Sequence, residues 1–304
     1  MPKAGHIAIL GGPTGSGKTS FSIQLAQHWA CPIVNADSRQ VYRELNIGVA
    51  KPSPSEFKQA EHRLFGHVSI LEDYNAERYA QEAAMEVRKS LESTGRAILC
   101  GGTGLYIRAL LEGLNELPEP GAETLARVDR CIREEGIVGL RKAIMKADPL
   151  AHERLDMFNP QRMQRALSLL WESGQSLNDL YLQKTLSPLH DVLENCQVEY
   201  LGLDWDRETL YHRLHQRCDS MMKDGLLEEV KGLQSHRHLN ALQTVGYSEW
   251  FEHLDGTVSY PYALDKMKQN TRRYAKRQVT WFKNQFPTRW IPASTWKQDR
   301  LFLP

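Results

Sequence analysis

Gly12-Pro13-Thr14-Gly15-Ser16-Gly17-Lys18-Thr19 fills every fixed position of a G-x-x-x-x-G-K-[ST] phosphate loop. The flanks agree with it: His6-Ile7-Ala8-Ile9-Leu10 reads as a buried parallel strand, and Phe21, Leu25, Ala26 and Trp29 then recur on one helical face. A strand, a glycine-rich turn and a helix in that order constrain the chain to an α/β fold whose first loop grips a di- or triphosphate. Glycines let backbone N–H groups curl around phosphate oxygens, and the helix start adds partial positive charge. Lys18 brings a mobile cation, and the Thr19 hydroxyl suits Mg2+. The loop does not say which bond is broken.

Two further strand-loop-helix units follow. Cys31 to Ala36 ends at Asp37, and Arg96 to Cys100 ends at Gly101-Gly102-Thr103-Gly104 before a helix from near Leu105. This pattern predicts a P-loop NTPase-like parallel sheet flanked by helices, with ligands beyond the carboxyl ends of the strands. The phosphate loop, Asp37 and Thr103 should therefore converge on one crevice. Pro118-Glu119-Pro120-Gly121 marks a boundary, helical periodicity persists to about Leu193, and strand character resumes over Val198 to Leu203. The expected organisation is the first part of an α/β core over 1–114, a helical insert domain over 115–195, and core completion with basic C-terminal helices over 196–304. Asp206 is placed as the N-cap of a helical pattern that runs to Leu233 with a break at Asp224-Gly225.

With 304 residues, 41% hydrophobic, the chain has material for a large core, and no apolar run approaches the length of a membrane span. The start lacks the pattern of a signal peptide, and Cys31, Cys100, Cys131, Cys196 and Cys218 are scattered without a C-x-x-C pair. A cytoplasmic, monomeric protein with free thiols and no membrane partner is expected. Net charge is only +1, so a nucleic-acid surface must come from segregated charge. Lys266, Lys268, Arg272, Arg273, Lys276, Arg277 and Lys283 supply it, in a stretch with no acidic residue, interleaved with Tyr274, Trp281 and Phe282. Cations neutralising phosphate and aromatics stacking on bases suit a folded RNA, although Trp281 and Phe282 also suit a core.

Asp37 leads a polar run, Asp37-Ser38-Arg39-Gln40, at a strand end, where a carboxylate serves as a general base or holds Mg2+ through water, or else caps a turn. Thr103 offers a hydroxyl to a substrate or to a helix cap. Asn159-Pro160 opens a helix whose Gln161, Arg162, Met163, Gln164 and Arg165 form a basic, amide-rich start. Arg213 and Arg217, four apart, are spaced to reach over phosphates from one helix face.

Taken in order, the phosphate loop, Asn35 to Tyr42, Gly101 to Tyr106, Gln161 to Leu167, Val245-Gly246-Tyr247 and Lys276 to Phe282 resemble the tRNA dimethylallyltransferase family, also called tRNA isopentenyltransferase, over nearly the whole chain. No zinc-finger extension is present, so the likeness is to the bacterial type. The resemblance implies transfer of a dimethylallyl group from dimethylallyl diphosphate to N6 of adenosine 37, in the anticodon stem-loop of tRNA, with release of diphosphate. It implies that Gly12, Pro13, Thr14, Gly15, Ser16, Gly17, Lys18, Thr19 and Arg217 hold the diphosphate, with Mg2+ at Thr19. Asp37 would accept the N6 proton, Thr103 would contact the reacting adenosine, and Lys18 would stabilise the leaving group. The target base must leave its stack to be reached. Family tRNA contacts fall on Asp37, Ser38, Arg39, Gln40 and Thr103, on Gln161 to Arg165, on Thr244, Val245, Gly246 and Tyr247, and on Lys276, Arg277, Gln278, Trp281 and Lys283. Ser248 stands where relatives often carry a basic residue. A P-loop small-molecule kinase, or an adenylate isopentenyltransferase acting on free nucleotide, would use the same loop but leaves the basic C-terminal stretch unexplained.

Overall fold

The computed structural model describes residues 5–296. Strand β1 (Gly5–Gly11) carries the uninterrupted apolar run Ile7 to Leu10, each residue at most 1% exposed, as a strand covered on both faces must be. Helix α1 (Lys18–Trp29) follows, started by Gly17 at φ 98, a left-handed conformation that favours glycine. Then come β2 (Ile33–Asn35), α2 (Pro54–Phe57), β3 (His62–Arg63), α3 (Ala76–Thr94), β4 (Arg96–Cys100) and α4 (Gly104–Glu112). Asn75 caps α3 through its side chain, and Gly95 closes it in a left-handed turn.

The chain divides into two compact units, one running through Leu111 and again from Pro188, the other Glu112–Ser187. The second unit contains α5 (Ala122–Ala147), α6 (Pro160–Ser173) and α7 (Leu177–Leu182). Its own core joins Val128, Leu140 and Ile144 of α5 to Met163, Leu167 and Leu170 of α6. Gly136, at φ 63, kinks α5.

The first unit resumes with α8 (His190–Leu193), β5 (Cys196–Asp204), α9 (Arg207–Lys223), α10 (Leu226–Gly232), α11 (Ser248–Leu254), α12 (Tyr260–Gln285) and β6 (Arg289–Pro292). Among the described residues six strands form one parallel sheet, in the order β3-β2-β4-β1-β5-β6. This is the P-loop NTPase-like sheet the sequence predicts. Leu10 pairs with Cys100 and Leu201, and Asn35 with Cys100, so the loops after β1, β2 and β4 leave the sheet at one level. Helix α12 packs on those strand ends: a Cβ on Gly11 would meet the Phe282 ring at 2.0 Å, and one on Gly104 would meet Trp281 at 1.9 Å.

Several boundaries differ from the sequence reading. The expected strand Cys31 to Ala36 shrinks to three residues, and β3 and β6 are edge strands too short to stand out from their surroundings. The helical unit ends at Ser187 rather than near residue 195, because α8 is tied to α3: Arg88 pairs with Asp191 at 2.6 Å and donates to the Pro188 carbonyl at 2.7 Å. The break at Asp224-Gly225 separates α9 from α10. Among the described residues, no helix is long and apolar enough to cross a membrane.

Candidate active site

A cavity of about 300 Å³ opens beyond the carboxyl ends of the strands. Thr14, Gly15, Gly17, Lys18 and Thr19 line one side, and Asp37, Gln40, Arg213 and Arg217 approach from the other loops and from α9. Sequence-distant residues meet here because the strand register brings their loops together. The Lys18 ammonium donates to the Gly12 and Pro13 carbonyls at 3.0 and 2.7 Å, which holds it over the loop. Burial pulls its pKa down to about 8, against the attraction of Cys100 and Asp37. Burial likewise lowers Arg217, while Asp37 pulls it back up. Arg213 donates from Nε to the Gly15 carbonyl at 3.1 Å and lies over the Trp205 ring, whose indole N–H donates to the Ser16 carbonyl at 2.8 Å. Trp205 went unnoticed in the sequence, although its place just after β5 is where strand-end ligands sit.

Asp37 is fixed by its neighbours. Its N–H donates to Asn35 Oδ1 at 2.9 Å, and one of its carboxylate oxygens accepts from the Arg39 N–H at 2.9 Å. Thr103 accepts from the Ser38 N–H at 2.9 Å and donates from its hydroxyl to the Ser38 hydroxyl at 3.2 Å. Gly101 has no room for a side chain, since a Cβ there would lie 2.1 Å from the Ala36 carbonyl. That close approach brings Thr103 beside the Asp37 turn.

Asp37, Thr14, Val49 and Arg217 also line a second, smaller cavity of about 60 Å³, closed by Met221, Thr244, Val245, Met267 and Tyr274. Arg39, Thr244, Val245 and Tyr274 continue into a wider groove of about 590 Å³ with Ser38, Thr103, Asn270, Arg277, Gln278 and Trp281. The three spaces share walls in sequence, and Asp37 lines both the phosphate-lined cavity and the small cavity, which in turn shares Arg39, Thr244, Val245 and Tyr274 with the groove.

Four residues expected to contact tRNA are engaged within the protein. Tyr247 is fully buried and its hydroxyl donates to Glu229 at 2.6 Å. Gln278, 5% exposed, accepts from the Thr14 N–H at 2.8 Å and donates to the Gly102 carbonyl at 3.0 Å, bracing the phosphate loop against the second glycine loop. Gln40 faces the phosphate-lined cavity and donates to the Val49 and Ala50 carbonyls at 3.0 Å. Met163 is a fully buried core residue of the helical unit, while Gln161, Arg162 and Arg165 on the same helix are exposed. Arg39 donates to the Asn240 carbonyl at 2.8 Å yet still lines the groove. Lys276, Arg277 and Lys283 lie on the exposed face of α12. Lys268 is engaged by Asp219 at 2.6 Å, so the basic stretch is not uniformly available.

A family model described as IPP transferase matches residues 40–285. The chain is 38% identical over 290 residues to the tRNA dimethylallyltransferase of Flavobacterium johnsoniae, covering 95% of this chain and 94% of that one. It is 38% identical over 285 residues to tRNA dimethylallyltransferase 1 of Bacteroides thetaiotaomicron, covering 94% of this chain and 91% of that one. Among solved structures it is similar to the full-length tRNA isopentenylpyrophosphate transferase of Bacillus halodurans, with 30% identity and a TM-score of 0.67 over 95% of this chain and 90% of that one. A eukaryotic dimethylallyltransferase acting on tRNA shares the fold, with a TM-score of 0.76 at 24% identity over 98% of this chain and 77% of that one.

Proposed function

This chain belongs to the IPP transferase family, the tRNA dimethylallyltransferases, and from that premise we propose how its site transfers a dimethylallyl group from dimethylallyl diphosphate to N6 of adenosine 37 in tRNA. The donor's diphosphate occupies the larger cavity, held by the N–H groups of Gly15 to Thr19, by Lys18 and by Arg217, while the Thr14 N–H stays with Gln278. Its five-carbon group lies in the small cavity among Val49, Met221, Val245, Met267 and Tyr274. The target adenosine, turned out of the anticodon loop, enters the groove beside Thr103 and Trp281. The N6 nitrogen attacks the first prenyl carbon, the carbon–oxygen bond to diphosphate breaks, and the N6 proton passes to Asp37. Lys18 and Arg217 balance the charge that builds on the departing diphosphate. The observation that carries this reading is that the Asp37 carboxylate borders both the phosphate-lined cavity and the small cavity leading to the groove.

Mg2+ fits the larger cavity. Thr19 and Ser22 line it beside Asp37, and among the described residues no cluster of three His, Cys, Asp or Glu would hold a metal without help from a ligand. The Thr19 hydroxyl would hold the ion there. The bound ion would neutralise the leaving group. The exposed Gln161, Arg162, Arg165, Lys276, Arg277 and Lys283 supply tRNA backbone contacts, in a monomer working in the cytoplasm.

The test is transfer of a labelled dimethylallyl group to unmodified tRNA. Asp37→Ala should lower transfer by roughly 10²–10⁴-fold while leaving tRNA binding intact. Transfer at the parent rate by that variant would remove the general base from the scheme.

A further inference from the structure

Glu229 on α10 lines none of the three spaces itself, yet its carboxylate gathers donors from two segments that line the site. Oε2 accepts from the Asn46 and Ile47 N–H groups at 3.2 and 2.8 Å. Oε1 accepts from the Gly48 N–H at 3.1 Å and from the Tyr247 hydroxyl at 2.6 Å. The Tyr247 ring lies against Gly48 so closely that a Cβ there would come within 2.5 Å of it. Gly246 approaches the Gly48 carbonyl from the same side, its missing Cβ only 3.3 Å away. Lys51 closes the same loop from within, donating to the Tyr42 and Arg43 carbonyls and to Asn46 Oδ1.

The two segments joined at Glu229 both line the small cavity, Gly48 and Val49 from one and Thr244 and Val245 from the other. A carboxylate that accepts from both fixes how one segment seats against the other, and so the outline of the cavity they line. Three of the donors are backbone N–H groups and the fourth is the hydroxyl of a fully buried tyrosine, so the cavity has little freedom to widen. We propose that Glu229 is a positioning residue that sets the length of prenyl group the enzyme accepts, by clamping the Gly48–Val49 wall against the Thr244–Val245 wall. This rests on the placement of the prenyl group in that cavity. The clamped cavity takes a five-carbon branch, and a ten-carbon chain needs the wall to retreat.

Glu229→Gln tests the clamp, because an amide puts an N–H₂ where one carboxylate oxygen accepted, setting donor against donor. The measurement is the ratio of kcat/KM for geranyl diphosphate to that for dimethylallyl diphosphate, with tRNA as acceptor. E229Q should raise the ratio roughly tenfold or more, the discrimination typical of a hydrophobic pocket that gains or loses a methylene. Val49→Ala, which recesses the same wall without touching the anchor, should move it in the same direction, with KM for tRNA unchanged in both. Tyr247→Phe, which removes one of the donors, should give a smaller shift and carries the test should E229Q not fold. A parent ratio in folded E229Q overturns the clamp, as does a shift in V49A alone. A parent enzyme inactive with dimethylallyl diphosphate would instead reject the reading of the reaction itself.

Discussion

Replacing Gln278 by Leu removes both ends of the brace between the two glycine loops at nearly constant side-chain volume. The Gly102 carbonyl, in a buried glycine, loses its Nε2 donor, and the Thr14 N–H loses its Oε1 acceptor. Stranding a buried polar group costs roughly 1–3 kcal/mol. Gly102 belongs near the top of that range, whereas Thr14 borders the larger cavity and regains a water, which places it near the bottom. The added apolar burial returns ~1 kcal/mol, so the net loss is ~2–3 kcal/mol. Gln278→Glu is the discriminating companion. It keeps an acceptor for Thr14 but turns an oxygen toward the Gly102 carbonyl in a buried place, and should be less stable than the Leu variant. Denaturant unfolding at unchanged m-value reads both midpoints. The Michaelis constant for dimethylallyl diphosphate should rise in both, since the phosphate loop has lost its outer tether, while tRNA affinity holds. A Leu variant within ~0.5 kcal/mol of the parent would refute the brace. So would one that weakens tRNA binding and leaves the donor constant alone, returning Gln278 to the role of an RNA contact.

Burial holds Lys18 at about 8, below its ordinary 10.5, so between those values the unfolded chain binds more protons than the folded one and stability rises with pH. Lys51, also held at about 8 by burial, adds to that rise. Diphosphate capture needs the Lys18 ammonium, so kcat/KM for the donor should fall as pH climbs through about 8, and a profile level to about pH 10 would contradict this. Paired Lys276→Ala and Arg277→Ala changes should weaken tRNA binding and reduce the slope of log K against log salt by roughly one to two units. Lys268→Ala should leave that slope alone, because its ammonium already pairs with Asp219 at 2.6 Å.

Much of the site was legible because its parts are local. Gly12 to Thr19 must form a phosphate loop wherever a strand precedes it and a helix follows, and Asp37 and Thr103 announce themselves as polar residues at strand ends. The contacts that local sequence does not reveal are those whose partners lie elsewhere along the chain. Gln278 sits in a basic stretch and looks like an RNA contact, but its partners lie 264 and 176 residues away. Tyr247 looks like part of an exposed loop until Glu229 is found beside it. Glu229 itself gives no local signal, since an acidic residue on a short helix is usually solvated.

The amino-acid order alone determined that a phosphate-loop sequence would follow the first strand of a parallel α/β sheet and that positive charge would gather near the C-terminus, because phosphate loops, strand runs and charge segregation are written in neighbouring residues. Only the tertiary structure decided which polar side chains line the cavities and which hold their walls. A buried amide or carboxylate is tolerable only where distant backbone groups complete its hydrogen bonds, and folding alone brings Gly48, Gly102, Thr14 and Tyr247 to those positions.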